Sequence, residues 1–350
     1  MNRGFWDHLK APIIGLAPMD GVTDSAYRYM VCKYSKPTLV MTEFTNVEGL
    51  ARGAIGMLKA FEYDEIERPV VAQIYGSEVE SFYKVALMNC FLGFDGIDIN
   101  MGCPANKVAR RGSGAGLIRT PDLAKLIVQT VQKACKDFFN GITLEEANIR
   151  PKIIAALKKI DKYNEKDRRL LPVSVKTRVG FDSDITLEWI RHLIEVQPAN
   201  ITLHGRTLKQ MYMGLANWES IGKAASLCKN TGITLLGNGD IKSIDEAHQK
   251  MTQYGVDGVL VGRGTFGNPW FFSNHSPTPQ ERAQAAIEHC KVFEKLNPGS
   301  KFFIMRKHLG WYCRDFDGAR ETRSKLMQSE NSEEVKNVFK EVFPALEEES

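Results

Sequence analysis

The chain carries no CxxC pair and no cluster of cysteine with histidine, and its seven cysteines are scattered and odd in number. Such spacing argues against a disulfide framework and a zinc site, and suits a reducing, cytoplasmic setting. Long apolar runs are missing too. The N-terminal stretch Ile13–Ala17 falls far short of the ~18 residues that span a bilayer, so neither a secretory leader nor a membrane partner is expected. No GxGxxG follows the first β-rich run, which disfavours an open dinucleotide-binding sheet. Excess charge of one sign is small: the net value of +4 names no partner. There is no internal repeat beyond a β/α rhythm, and the acidic end Glu347–Glu349 is the sole biased tract.

What the sequence does have is alternation. Eight β-rich runs (Ile13–Ala17, Leu39–Thr42, Val70–Ile74, Gly96–Asn100, Val173–Thr177, Asn200–His204, Thr234–Gly237 and Gly258–Val261) are separated by longer helix-like segments. Several are almost wholly apolar, as expected for parallel strands buried on both faces. Eight β/α units in this length predict an α/β fold, a closed (β/α)8 TIM barrel over residues 1–273. Beyond it the pattern is helical. Thr278-Pro279-Gln280-Glu281 reads as a capping box with proline at the first helical position, and apolar residues recur at helical spacing to Val342. A small all-helical domain is expected over 278–350. Residues 140–171 read as an insertion before the fifth strand, with a basic amphipathic helix around Ile153–Ile160.

Charge is unevenly placed. Arg150–Pro172 holds eight Lys/Arg against three Asp/Glu, and Lys301–Lys325 holds seven against three. Two basic stretches suit the footprint of a polyanion; each taken alone suits a solvated helix face equally well.

Polar residues gather where the strands end, the place where such barrels keep their chemistry. Pro18 and Met19 follow the first strand, Glu43 the second, and Gln73 lies in the third. Asn100 and Cys103 follow the fourth, Lys176 and Arg178 the fifth, and His204 and Arg206 the sixth. Cys103 sits at a Gly-Cys-Pro corner ahead of Lys107, Arg110 and Arg111. That setting favours a reactive thiol over the buried, inert cysteine that is the commoner case. Asn238-Gly239-Asp240 and Gly262-Arg263-Gly264 close the last two strands, where backbone N–H groups and an arginine suit a phosphate. Lys176 permits two readings: a Schiff-base amine, or a cation bonded to a cofactor ring or ribityl chain. Glu43 and Asp98 read as supporting carboxylates.

The segments APMDGVTD (17–24), DINMGCPANKVARRGSGAGL (98–117), VKTRVG (175–180), HGRT (204–207), NGDI (238–241) and GRGTFGNPW (262–270) resemble the tRNA-dihydrouridine synthases. MRKHLGWY (305–312) is similar to the helical domain of the bacterial B-type subgroup. The insertion at 140–171 is longer than that subgroup leads one to expect. The resemblance implies an FMN-dependent, NADPH-driven oxidoreductase that reduces uridine to dihydrouridine in the D-loop of tRNA, without metal; a cytoplasmic monomer is expected, although the sequence does not fix the oligomeric state. It implies that Pro18, Met19, Gln73, Lys176 and His204 serve the flavin ring region. Asn238, Gly239, Asp240, Gly262 and Arg263 would lie on its phosphate side. Asn100 and Arg178 would grip a flipped uracil, and Cys103 would be the proton donor. Lys107, Arg111, Arg306, Lys307, Arg314, Arg320 and Arg323 are the tRNA-binding candidates. Three other classes fit parts of the pattern: a flavin barrel acting on a free pyrimidine, an RNA-binding protein without redox function, and a Schiff-base aldolase.

Overall fold

Among the described residues nine short strands, all parallel, form one continuous sheet: β1 (Ile13–Leu16), β2 (Val40–Met41), β3 (Thr45–Asn46), β4 (Val70–Tyr75), β5 (Gly96–Met101), β6 (Val173–Arg178), β7 (Asn200–His204), β8 (Thr234–Asn238) and β9 (Gly258–Val261). The sheet closes because β1 pairs with both β2 and β9, and β2 with β4. β3 only prolongs the second strand, with Thr45 opposite Ile74 and Asn46 opposite Tyr75. The result is an eight-stranded (β/α)8 TIM barrel, as the spacing of the apolar runs predicts. The computed structural model describes residues 2–105, 109, 112–160, 168–273 and 275–346. Lys107 and Arg111 lie outside them.

The second strand departs from its expected span of Leu39–Thr42. The hydroxyl of Thr42 accepts the Gln73 N–H at 3.0 Å and donates to the Glu43 carbonyl at 2.9 Å. A side chain thus takes a ladder position, and the strand breaks there before resuming at Thr45.

Outside the strands lie α1 (Ser25–Tyr34), α2 (Val47–Ala51), α3 (Val79–Phe91), α4 (Pro121–Phe139), α5 (Pro151–Ile160), α6 (Thr186–Glu195), α7 (Trp218–Cys228) and α8 (Ile244–Tyr254). Side chains of alternate parity, among them Ile97, Ile99, Val173, Val175, Ile201 and Leu203, face this helical layer and form its core. The opposite parity faces inward. Low in the barrel it is apolar: Ile13, Leu39, Met41, Val71, Leu236 and Leu260 pack with Trp6, which stands on a 3-10 turn ahead of β1.

Within the insertion, the helix α5 belongs to the wall. α2 is only five residues long, and α5 packs on the 3-10 turn Ile55–Phe61 that follows it. Ile153, Ile154 and Leu157 are buried in the barrel's outer core, while Lys152, Lys158 and Lys159 remain exposed. The sequence's amphipathic pattern therefore marks a replacement covering element with a basic outer face.

After Thr278, whose hydroxyl and Glu281 form the expected capping box, come α9 (Pro279–Leu296), α10 (Arg306–Tyr312), α11 (Ala319–Leu326) and α12 (Ser332–Lys340). Their cluster of Ala286, Cys290, Phe293, Leu309, Leu326, Val335 and Phe339 also takes in Ala26 and Met30 of α1 and Trp270. Across the seam Tyr34 donates to Glu288 at 2.6 Å, and Lys307 bonds the Gly21 carbonyl. No helix among the described residues is long and apolar enough to cross a membrane.

Candidate active site

Strand alternation that buries Ile97 and Ile99 outside turns Asp98 and Asn100 into the barrel. The register then aligns Gln73 with Asp98, Asp98 with Ser174, Asn100 with Lys176, Lys176 with Thr202, and Arg178 with His204. His204 in turn lies opposite Asn238. One period-two rule thus gathers polar side chains from five strands above the apolar floor.

These groups form a chain of bonds leading to the Gly-Cys-Pro corner. The Ser174 hydroxyl and the Gln73 amide donate to Asp98 at 2.8 and 2.7 Å. Asn100 donates to the Gln73 side-chain oxygen at 3.0 Å. The Asn100 oxygen accepts the N–H groups of Gly102 and Cys103 at 2.9 and 2.8 Å. Asp98 is fully buried, which pushes its carboxyl up to about 6 against the lowering effect of those donors. Cys103 is 7% exposed and belongs to none of the apolar clusters. Burial pushes its thiol up, so the neutral form prevails around pH 7.

Three cationic or basic side chains stand opposite. The Lys176 ammonium group has no hydrogen-bond partner among the described residues, and burial with the neighbouring Arg178 charge brings it down to about 8. Arg178 is also lowered, to about 10, chiefly by burial. It donates to the Gly102 carbonyl at 2.6 Å and to the Thr207 and Met211 carbonyls at 3.1 and 3.2 Å. The two residues assigned to the uracil thus have internal duties: Arg178 ties two loops together, and Asn100 shapes the corner. Burial and the charges of Lys176, Arg178 and Arg206 hold His204 well below the ordinary histidine value, so its ring is neutral.

On the far side, Asp240 is gripped by Arg206 through both carboxylate oxygens at 2.9 and 2.7 Å, and by Arg263 at 2.9 Å. Burial works against ionisation there, but the Ala216 N–H and the two guanidinium groups hold Asp240 below the usual carboxylate range. Asp240 therefore positions two arginines, a duty its place in the sequence does not reveal. Arg263 is half exposed beyond that contact. Gly239 has φ +131°, and a Cβ on it would lie 2.6 Å from the Ala216 Cβ and 3.2 Å from His204. A Cβ on Gly262 would lie 3.2 Å from the Met19 sulfur. Neither position has room for a side chain, because Ala216, His204 and Met19 pack directly against them, and the half-exposed Arg263 guanidinium stands beside Gly262 in the chain.

Arg206 is the residue that sequence reasoning undervalues. It is buried, and besides Asp240 it holds the Met213 and Gly214 carbonyls. Ser174 escapes notice too, although it shares the inward parity of Lys176. Glu43 accepts the Gly21 N–H at 2.5 Å, and burial with the nearby Asp24 charge pushes it up to about 7. The basic residues of the helical segment separate into two kinds. Lys307 is bonded to Gly21, and the buried Arg306 Nε has no partner among the described residues. Arg314, Arg320 and Arg323 are exposed, although Arg323 also donates to the Cys313 carbonyl at 2.7 Å.

The family match and the curated relatives point to one family. The dihydrouridine synthase model matches residues 15–145 and 144–347. A probable tRNA-dihydrouridine synthase of Staphylococcus aureus (strain COL) is 32% identical over 359 residues, covering 99% of this chain and 98% of that protein. A probable tRNA-dihydrouridine synthase 2 of Bacillus subtilis (strain 168) is 32% identical over 356 residues, covering 96% and 95%. The chain belongs to the dihydrouridine synthase family, a family of oxidoreductases.

Proposed function

We propose that this enzyme reduces uridine to 5,6-dihydrouridine in the D-loop of tRNA, with FMN as its cofactor and NADPH as the reductant. The observation that carries the reading is the Cys103 corner: a buried, neutral thiol whose backbone is held by Asn100 at the end of β5, with Lys176 opposite Asn100 on β6.

The residues present fit a flavin mononucleotide. The backbone approach at Gly239 and Gly262, with Arg263 at the rim, suits a phosphate, and Asn238 stands at the same strand end. The unpartnered Lys176 amine suits an electron-rich ring edge, with Gln73 and His204 beside it and Pro18 and Met19 against the ring. When bound and reduced, the flavin supplies a hydride to uracil C6.

The chain's own residues do the rest. Negative charge developing toward C5 and O4 requires a proton at C5, and a neutral thiol near pH 7 carries one. Asn100 fixes the Cys103 backbone, and with it the place at the barrel mouth from which the thiol projects. Arg178, assigned with Asn100 to the uracil, adds positive charge beside the Gly102–Cys103 corner, which suits the charge that develops on the base. A uridine must leave its stack to enter the mouth. Shape and phosphate recognition of the surrounding RNA falls to the helical segment 278–350, with residues 1–273 as the catalytic part.

The cofactor assignment is tested by releasing the yellow component from the purified, heat-denatured protein and identifying it by chromatography. FMN at near-equimolar yield is expected; a colourless protein that takes up no added FMN contradicts the reading.

A further inference from the structure

Ten large apolar side chains are exposed among the described residues, and four of them fall in one short loop after β7: Met211 (41%), Tyr212 (60%), Met213 (70%) and Leu215 (82%). The loop's backbone is firmly mounted. Arg178 holds the Met211 carbonyl, Arg206 holds those of Met213 and Gly214, and the Ala216 N–H donates to Asp240 at 2.8 Å. Two buried arginines and a carboxylate thus anchor a segment whose side chains point into solvent. The loop is also beside the chemistry, because the guanidinium that bonds Met211 bonds the Gly102 carbonyl next to Cys103. Arg263 lies 5.7 Å from the centroid of the Tyr212 ring. Of the remaining three, Met213 and Leu215 are far more exposed than Met211 and stand as bare apolar tips on a rigid base.

We propose that Met213 and Leu215 form a wedge that enters the RNA stack as the target uridine leaves it. This rests on the reading that a base within folded RNA is the substrate. Extracting a stacked base leaves a gap that favours its return, and an apolar side chain inserted between neighbouring bases offsets the lost stacking. The exposed Lys209 stands at the start of the loop, which favours a phosphate-bearing partner over a lipid surface or a second copy of the chain. A wedge must be rigid where it is mounted and bare where it inserts, and both conditions hold here.

The test compares two substrates, folded tRNA lacking dihydrouridine and a short unstructured oligonucleotide carrying the same uridine, each with NADPH. In the Met213→Ser/Leu215→Ser double variant the ratio of kcat/KM on tRNA to that on the oligonucleotide falls roughly tenfold, the equivalent of partial loss of one unstacking step. The Met213→Leu/Leu215→Met variant, which keeps apolar bulk, retains the ratio. Both positions are exposed, so the variants fold. An unchanged ratio in the serine variant overturns the wedge while leaving the enzyme's reaction intact, and so does an unchanged ratio accompanied by loss of a self-associated form in sedimentation. Failure of the unaltered protein on both substrates overturns the underlying reading and the wedge with it.

Discussion

The Asn100 side-chain oxygen accepts the Cys103 N–H at 2.8 Å and the Gly102 N–H at 2.9 Å, so an asparagine at a strand end holds the backbone that carries the thiol. Replacing either residue is expected to lower dihydrouridine formation for different reasons. Cys103→Ala keeps the corner's hydrogen bonds and its stability but loses the acid, at a cost of about 10²- to 10⁴-fold in the single-turnover rate. Asn100→Ala leaves two N–H groups of the corner without their acceptor and destabilises the fold by about 1–3 kcal/mol as well. Urea unfolding separates the two cases, and full activity in Cys103→Ala removes the thiol from the chemistry.

Glu43 gives a pH signature. Its carboxyl has an ordinary value of 4.5 and is pushed up to about 7 in the folded state, first by burial and then by Asp24. The folded state therefore favours the protonated form. That stabilisation is complete below 4.5 and is lost as pH rises through 7, a change of about 3 kcal/mol at most. Glu43→Gln keeps an acceptor for Gly21 and cannot ionise. Thermal melts should show the variant gaining on the unaltered protein between pH 5 and pH 8; a difference independent of pH contradicts the assignment.

The basic residues of the helical segment should divide as the structure divides them. Charge reversal at the exposed Arg314 and Arg320 is expected to weaken tRNA binding and to flatten its salt dependence by roughly one unit of slope per lost phosphate contact. Lys307→Met, which removes the bond to the Gly21 carbonyl, should lower stability and leave that slope alone. Filter binding across a salt series measures both. An unchanged slope in the double reversal moves the RNA footprint elsewhere.

Much of this architecture is legible in the sequence because strand parity is a strong constraint. Apolar runs buried on both faces announce the barrel, and the same parity that puts Ile97 outside puts Asp98 and Asn100 inside. Side-chain substitution for a backbone partner is much less visible. Nothing in Leu39–Thr42 reveals that the Thr42 hydroxyl will interrupt the strand. Arg206 and Asp240 pose the same difficulty, since a strand-end arginine and a loop carboxylate read as ligand contacts until their mutual clamp is seen. The amphipathic pattern of Ile153–Ile160 is plain, whereas its use as barrel wall depends on α2 being short. Gln73, Lys176 and His204 meet at one mouth because the register aligns their strands, and the order of motifs along the chain points there as well.

The central claim is tested most directly by incubating the purified protein with NADPH and tRNA lacking dihydrouridine, then mapping mass by nucleotide. A gain of about two daltons, one hydride and one proton, at one or more D-loop uridines is the predicted result. A protein that is yellow and oxidises NADPH, yet leaves every tRNA uridine unchanged, contradicts the account.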